Sequence, residues 1–384
     1  MRLKDCYRTE DFRRLARQRL PAPIFHYIDG GSDDEATLRR NTSAFDDVDL
    51  VPNVLAGVES VDLSVRVLGA ELKMPLFFAP TAMQRLFHHD GERALARVAD
   101  EFGTMFGVST IGTRSIEELG AMTTAPKFFQ IYVHKDPALT TNLIERCRAA
   151  RFDALALTVD TIVAGNRERD YHTGMTTPPK LNLSGLLSFA THPGWSMNYL
   201  LRERFDLPNI SQFIRAGSSA KMSVVDYINT QMKRSIDWDD AAAMIEEWGG
   251  PFAIKGVMSV ADARRSVEVG ASAIMVSNHG GRQLDGSRSP FDQLSAILDE
   301  VGGEIEVILD GGIRRGTHVL KALAMGATAC SGGRMYLYAM AAAGYPGVRR
   351  AMSLLRDEIE RDMTLMGCRS LAGLNRSSIA FRGP

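Results

Sequence analysis

The sequence predicts an α/β fold of the (β/α)8 TIM barrel class, on three observations. Short apolar runs alternate with longer amphipathic segments through most of the chain. Eight such runs fall within about 260 residues, the number and spacing of a closed parallel barrel. Several runs end in polar residues, which a parallel barrel gathers on one face. An open doubly wound sheet is the competing layout. It needs a glycine-rich phosphate loop early in the chain, and no GxGxxG follows the first run.

Residues 1–60 precede the barrel as an N-terminal helical segment. Glu10–Arg19 has helical spacing, Pro21 restarts the chain, and Tyr27 falls in a second short helix. The strand candidates are Leu76–Pro80, Met105–Ser109, Lys127–Tyr132, Ala154–Val159, Phe252–Lys255, Ala273–Ser277, Glu306–Asp310 and Thr328–Gly332. Helical patterns over Glu92–Phe102, Pro137–Ala149, Val260–Val269 and Gly316–Ala324 supply the crossovers. One connection is anomalous. Residues 161–236 form an insertion after the fourth strand, far longer than an ordinary loop. It holds Pro178-Pro179, an apolar stretch Leu186–Leu201 with Phe189, Trp195 and Tyr199, and a Gly217-Ser218-Ser219 loop. Leaving the C-terminal face, it should cover or adjoin the site. Residues 1–384 are expected to form one domain.

Composition narrows the function. The chain has 384 residues, 45% of them hydrophobic, enough for a large core. With 45 basic against 46 acidic residues no basic face is implied, so nucleic acid is not expected as a partner. The four cysteines Cys6, Cys147, Cys330 and Cys368 form no CxxC pair, which argues against zinc and disulfides and for a reducing compartment. No apolar run follows Met1–Asp5, and no stretch is long enough to span a bilayer. A cytoplasmic protein is expected. His88-His89 resembles a metal pair without further ligand spacing, and no metal is expected.

The nonapeptide Ser277-Asn278-His279-Gly280-Gly281-Arg282-Gln283-Leu284-Asp285 carries the chemistry. His279 can take a proton near neutral pH, and Arg282 can fork a carboxylate. That pairing suits proton abstraction from a small acid. Asp160, ending Leu157-Thr158-Val159-Asp160, could stabilise a protonated imidazole, or simply cap a helix. Asp310-Gly311-Gly312-Ile313-Arg314-Arg315-Gly316 and Ser331-Gly332-Gly333-Arg334 follow strands seven and eight, where barrels commonly bind phosphate. Lys255 reads either as a buried partner for an anion or as a surface lysine at a strand end. Arg167 sits in a charge run, Arg167-Glu168-Arg169-Asp170, and reads as solvated. Tyr27 and Tyr132 read as core aromatics.

These motifs, with Ala79-Pro80-Thr81-Ala82-Met83, Phe129-Gln130-Ile131-Tyr132 and Gly367-Cys368-Arg369-Ser370-Leu371, make the chain resemble FMN-dependent L-α-hydroxy acid oxidases and dehydrogenases. Glycolate oxidase, L-lactate dehydrogenase and (S)-mandelate dehydrogenase are members. The resemblance implies oxidation of a small L-2-hydroxy acid to the 2-oxo acid. His279 would be the base and Asp160 its charge partner. Arg167 and Arg282 would bind the carboxylate, with Tyr27 and Tyr132 lining the substrate pocket. Pro80, Thr81 and Ala82 would approach the flavin. Ser109, Gln130 and Thr158 would hydrogen-bond its polar edge, with Lys255 near its N1–C2 carbonyl side and Ser277 also among the cofactor contacts. Asp310 would meet the ribityl chain, Gly312, Arg314, Gly333 and Arg334 would take the phosphate, and Gly311 between them would also contact the cofactor.

Ile111 stands where glycolate oxidases have a tryptophan, which leaves substrate size open. The insertion, including Thr191-His192-Pro193-Gly194-Trp195, is closer to the bacterial dehydrogenases, in which this region can touch the membrane. Arg202, Arg204 and Arg215 beside Trp195, Tyr199 and Leu200 would suit an interfacial patch, and a lid over the flavin or a disordered loop are the alternatives. The resemblance also implies a homotetramer. It leaves the electron acceptor open among a quinone, a carrier protein and oxygen. The rival readings are an oxygen-using oxidase, a non-redox FMN isomerase and an FMN-binding protein without turnover.

Overall fold

The computed structural model describes residues 1–175, 183–211 and 230–383. Pro178-Pro179, Arg215 and the Gly217-Ser218-Ser219 loop lie outside them. The expected barrel is present. Its strands are β1 (Leu76–Thr81), β2 (Phe106–Ser109), β3 (Lys127–Ile131), β4 (Ala154–Thr158), β5 (Phe252–Val257), β6 (Ala273–Val276), β7 (Glu306–Asp310) and β8 (Ala329–Gly332). Each pairs in parallel with the next, and β8 closes on β1 through Cys330 opposite Leu76. β5 runs past Lys255 to Val257, with a register shift against β6 between those two residues.

The strands read as unbroken apolar runs because both of their faces are buried. Alternate residues divide between two cores. Phe77, Phe128, Ala154, Ala156, Ala253, Met275, Ile308 and Ala329 fill the barrel interior. Their neighbours Phe78, Phe129, Leu155, Leu157, Ile254, Ile274 and Leu309 pack outward with the helices. An antiparallel hairpin, Val65–Val67 with Ala70–Leu72, plugs the N-terminal end through Val67, Leu68 and Leu72. The interior-facing set becomes polar at its last layer. Following the same parity to the strand ends brings Ser109, Gln130, Thr158, Lys255, Ser277, Asp310 and Ser331 to the C-terminal mouth, all of them buried.

Helix Thr9–Arg19 packs on Arg334–Leu365, and the short helix Ala22–Asp29 follows it. The long helix is two helices joined at a kink, where Ala343 and Gly344 leave helical geometry ahead of Pro346. After β4 come the helices Glu168–Thr173, Leu183–Ala190 and Pro193–Leu200. The chain rejoins the barrel at Trp238–Trp248, whose start is fixed by a capping box on Asp237. Trp195 is anchored to the body. Its indole donates to the Leu86 carbonyl at 2.7 Å and stacks on Tyr199. Among the described residues, no helix is long and apolar enough to cross a membrane.

Candidate functional site

A cleft enclosing about 1090 Å³, open at its mouth, sits over the C-terminal ends of the strands. Most of the candidate residues line it. Pro80, Thr81, Ala82 and Ser109 form one wall; Lys255, Asp310, Gly311, Gly312, Arg314, Gly333 and Arg334 another; and Tyr27, Tyr132, Arg167, His279 and Arg282 the outer end. Asp160, Gln130 and Ser277 bond to residues of this lining, and Thr158 is buried at the end of β4 beside them in the barrel mouth.

At the inner end, the turns after β7 and β8 come together. Gly312 has φ +73°, and a Cβ there would lie 2.1 Å from the Asn41 carbonyl oxygen. Only glycine fits a backbone that close and that conformation. Gly333 caps the helix Arg334–Leu365, whose free N–H groups and positive dipole end favour an anion. Arg314 adds a cation whose pKa burial lowers. Arg334 is largely committed elsewhere. Its guanidinium donates to the carbonyls of Ile28 at 2.9 Å, Gly280 at 2.8 Å and Gly30 at 2.7 Å.

Beneath the middle of the cleft lies a hydrogen-bonded chain. Lys255 Nζ is 2.7 Å from Asp310 Oδ2 and donates to Ser277 Oγ at 2.9 Å. Ser277 and Ser331 donate to the two Asp310 oxygens at 2.7 and 2.6 Å. Lys255 is buried, so the surface-lysine reading is excluded. Burial opposes its charge, but Asp310 and Asp160 hold its pKa above the ordinary lysine value. Next to this chain, Ser109 donates to Gln130 Oε1 at 3.1 Å. Gln130 Nε2 and Thr158 Oγ1 are buried and have no partner among the described residues. Buried polar groups are seldom left unpaired, so these two point to a polar ligand edge over the barrel mouth. An anion cradle at one end and orphaned amide and hydroxyl groups in the middle fit the phosphate and heterocycle of FMN.

At the outer end His279 adopts φ +57°, a strained conformation for a non-glycine residue. Its amide donates to Ser277 Oγ at 3.2 Å, and its Nδ1 lies 2.9 Å from Asp160 Oδ1. Thr161 Oγ1 donates to the same carboxylate oxygen at 2.9 Å and lies 3.1 Å from Nδ1. Asp160 caps no helix. Gly256 makes room for it, since a Cβ at Gly256 would fall 2.8 Å from Asp160 Cβ. Burial pushes the His279 pKa below its ordinary value, against the pull of Asp160. Burial works in the opposite sense on Asp160, where His279 and Lys255 prevail and hold it below the usual carboxylate range.

Arg282 and Arg167 flank Tyr27, with guanidinium carbons 5.0 and 5.9 Å from the ring centroid. Arg282 Nη1 donates to the carbonyls of Tyr27 at 2.6 Å and Gly30 at 3.1 Å, so one edge is fixed and the other is left for a ligand. Burial and the neighbouring Arg167 press its pKa down to about 9. Arg167 is not a solvated charge. It lines the cleft, and its Nε is buried without a partner among the described residues. Two like charges sharing a pocket favour an anion between them. Burial raises the Tyr132 phenol, and the Asp160 charge adds to the effect.

Sequence reasoning missed several participants. Gln283 ties the loops after β4 and β6 together, donating to the carbonyls of Asp160 and Val163 at 2.9 Å each. Phe87 and Leu337 also line the cleft. Gln283 was visible only as part of the nonapeptide, and the other two carry no sequence signal beyond apolarity.

Comparison with known proteins agrees with this geometry. The family model described as FMN-dependent dehydrogenase matches residues 16–381. The L-lactate dehydrogenase of Xanthomonas axonopodis pv. citri (strain 306) is 40% identical over 373 residues, covering 97% of this chain and 96% of that one. A crystal structure of the monotopic membrane protein (S)-mandelate dehydrogenase superposes with a TM-score of 0.91 at 32% identity, covering 98% of this chain and all of that one. A mandelate oxidase with (S)-4-hydroxymandelic acid gives 0.86 at 34% identity, covering 98% of this chain and 99% of that one. The chain belongs to the FMN-dependent dehydrogenase family.

Proposed function

We propose that this protein oxidises a small L-2-hydroxy acid to the 2-oxo acid, with His279 as the base and Arg167 and Arg282 as the carboxylate clamp. The observation that carries the reading is the His279–Asp160 contact of 2.9 Å beside two arginines around one tyrosine. With Nδ1–H given to Asp160, the lone pair sits on Nε2, on the cleft side of the ring. Asp160 then stabilises the imidazolium once the proton has moved. Tyr132 and Tyr27 orient the acid, and Phe87, Ile111 and Leu337 offer apolar surface to its side chain. Gly312, Arg314, Gly333 and Arg334 would hold the phosphate, and Gln130, Thr158, Ser109 and Lys255 the heterocycle. FMN bound there supplies the two-electron acceptor. The 384 residues are proposed to act as one domain.

The test is anaerobic mixing of the FMN-loaded protein with glycolate, L-lactate and L-mandelate, followed by air. Bleaching of the flavin band by one acid supports the reading. Rapid recolouring in air identifies an oxidase; slow recolouring identifies a quinone- or carrier-linked dehydrogenase. No bleaching by any acid refutes the reading and leaves the isomerase and binding-protein alternatives. In the His279→Ala variant, FMN stays bound and bleaching is lost.

Peripheral contact with the inner face of the cell membrane is a second proposal. Leu186 and Leu187 on one short helix, Leu200 at the end of the next and Leu201 just beyond it are 59%, 64%, 75% and 73% exposed. One structural relative is described as a monotopic membrane protein. Replacing the four leucines with serine should abolish co-sedimentation with anionic phospholipid vesicles; unchanged sedimentation sinks the idea. A homotetramer, implied by the resemblance, is checked by sedimentation equilibrium.

A further inference from the structure

Arg167 has an unusual setting for a residue that must meet a substrate. Its guanidinium makes no hydrogen bond among the described residues, only the approach to Tyr27. Free, such a long side chain would sample many rotamers, and binding would have to order it. Its flanking residues are the ones that are fixed. Asn166 donates to Asp33 Oδ1 at 2.7 Å, and the Asp33 amide returns a bond to the Asn166 carbonyl at 2.9 Å. Arg169 donates to Asp29 Oδ2 at 2.9 Å and to Glu35. Both anchors therefore end on one strap, residues 29–35, which continues directly from the helix carrying Tyr27.

The strap is itself held from three sides. Asp29 is buried and accepts from Arg13 Nε at 2.5 Å, Arg13 Nη2 at 2.9 Å and the Tyr338 hydroxyl at 2.8 Å. Glu35 accepts from the Gly31 amide at 2.9 Å. Ser32 donates its amide to the Gly281 carbonyl at 3.0 Å, next to Arg282. Asp33 and Glu35 both have positive φ, 45° and 58°, a conformation that persists only where surrounding contacts enforce it.

We propose that Arg169 is a positioning residue which, through Asp29 and Glu35, holds Arg167 against Tyr27 and so presets the carboxylate clamp. The proposal rests on the reading of Arg167 as a substrate-binding residue. A bidentate bridge to two carboxylates on the strap fixes the backbone two residues past Arg167. The Asn166–Asp33 pair fixes the backbone one residue before it.

The experiment is steady-state kinetics on the FMN-loaded enzyme with the acid that bleaches it, for Arg169→Ala, Arg169→Lys, Arg167→Lys and the double variant Arg167→Lys/Arg169→Ala. Arg169→Ala should raise KM about tenfold or more while kcat stays within about threefold, with FMN content unchanged. Arg169→Lys should recover part of the loss. The double variant should be hardly worse than Arg167→Lys alone, because the support has nothing left to position. Multiplying effects, or a fall in melting temperature with KM unchanged, overturns the proposal. Should Arg169→Ala not fold, Glu35→Gln turns the outer half of the bridge from an ion pair into a neutral hydrogen bond and should raise KM about two- to threefold; an unchanged KM again overturns it. Failure of the wild type to bleach with any acid is a failure of the functional reading, and is seen before any variant is made.

Discussion

Replacing Asp160 by asparagine isolates its charge. The side chain keeps its size, and the contact to His279 Nδ1, 2.9 Å in the wild type, becomes a hydrogen bond without an ion pair. For charges about 4 Å apart at an effective dielectric of about 20, the lost attraction is about 4 kcal/mol. Part survives through the amide oxygen, so the barrier should rise by about 3–4 kcal/mol, or roughly 100- to 1000-fold in rate. The assay is stopped-flow flavin bleaching at saturating acid, followed between about pH 5 and pH 8. The active form of His279 is unprotonated, so the rate rises with pH through its pKa. Burial already sets that pKa below the ordinary value and Asp160 opposes the shift. Removing the charge should move the acidic limb to still lower pH while the plateau falls. Stability at neutral pH should fall as well, because His279 and Lys255 hold the Asp160 pKa below its ordinary value and that favourable ionisation is lost with the charge. A rate loss below about threefold, or an acidic limb moving to higher pH, would refute the charge-partner role.

Other outcomes follow from the same geometry. Lys255→Met leaves Asp310 buried without its cation and should cost about 3–5 kcal/mol, read by denaturant unfolding; a loss under about 1 kcal/mol contradicts the burial argument. Gly312→Ala places a Cβ 2.1 Å from the Asn41 carbonyl, so FMN should dissociate at least tenfold more readily in fluorescence titration, and unchanged affinity excludes that turn from the phosphate site. Asp29, held at a pKa of about 2 by Arg13 and Tyr338 against burial, contributes stability present above the unfolded carboxylate pKa and lost as pH falls through about 2. Asp29→Asn should therefore lower stability by about 2 kcal/mol at neutral pH and flatten its fall in acid, and a parallel pH profile counts against the pair.

The barrel was legible because strands buried on both faces leave a plain apolar signature, and polar residues at their ends mark the mouth. What sequence could not show is contact between distant residues. Arg167-Glu168-Arg169-Asp170 reads as a solvated run because Arg169's partners, Asp29 and Glu35, lie 140 and 134 positions away. Lys255 was ambiguous for the same reason, its partner being on β7. The apolar run that marks strand β5 ends at Lys255, whereas the strand continues through Gly256 to Val257. The Gly256 φ of +111° and the Asp160 side chain against it give the reason for the glycine. Trp195 beside arginines suggested an interface, but its indole is spent on Leu86, and neighbouring leucines carry the exposed apolar surface.

Arg334 grips carbonyls that precede it by 306, 304 and 54 residues, and Tyr338 reaches Asp29 across 309. Closing a loop of about 300 residues is entropically unfavourable until the intervening barrel has formed. During synthesis, the first helices must therefore wait for the last strand before their packing partners exist. Refolding should show an early phase that builds the strands without a flavin signal. Flavin capture should come late, and removing residues 1–30 should block that second phase while sparing much of the first.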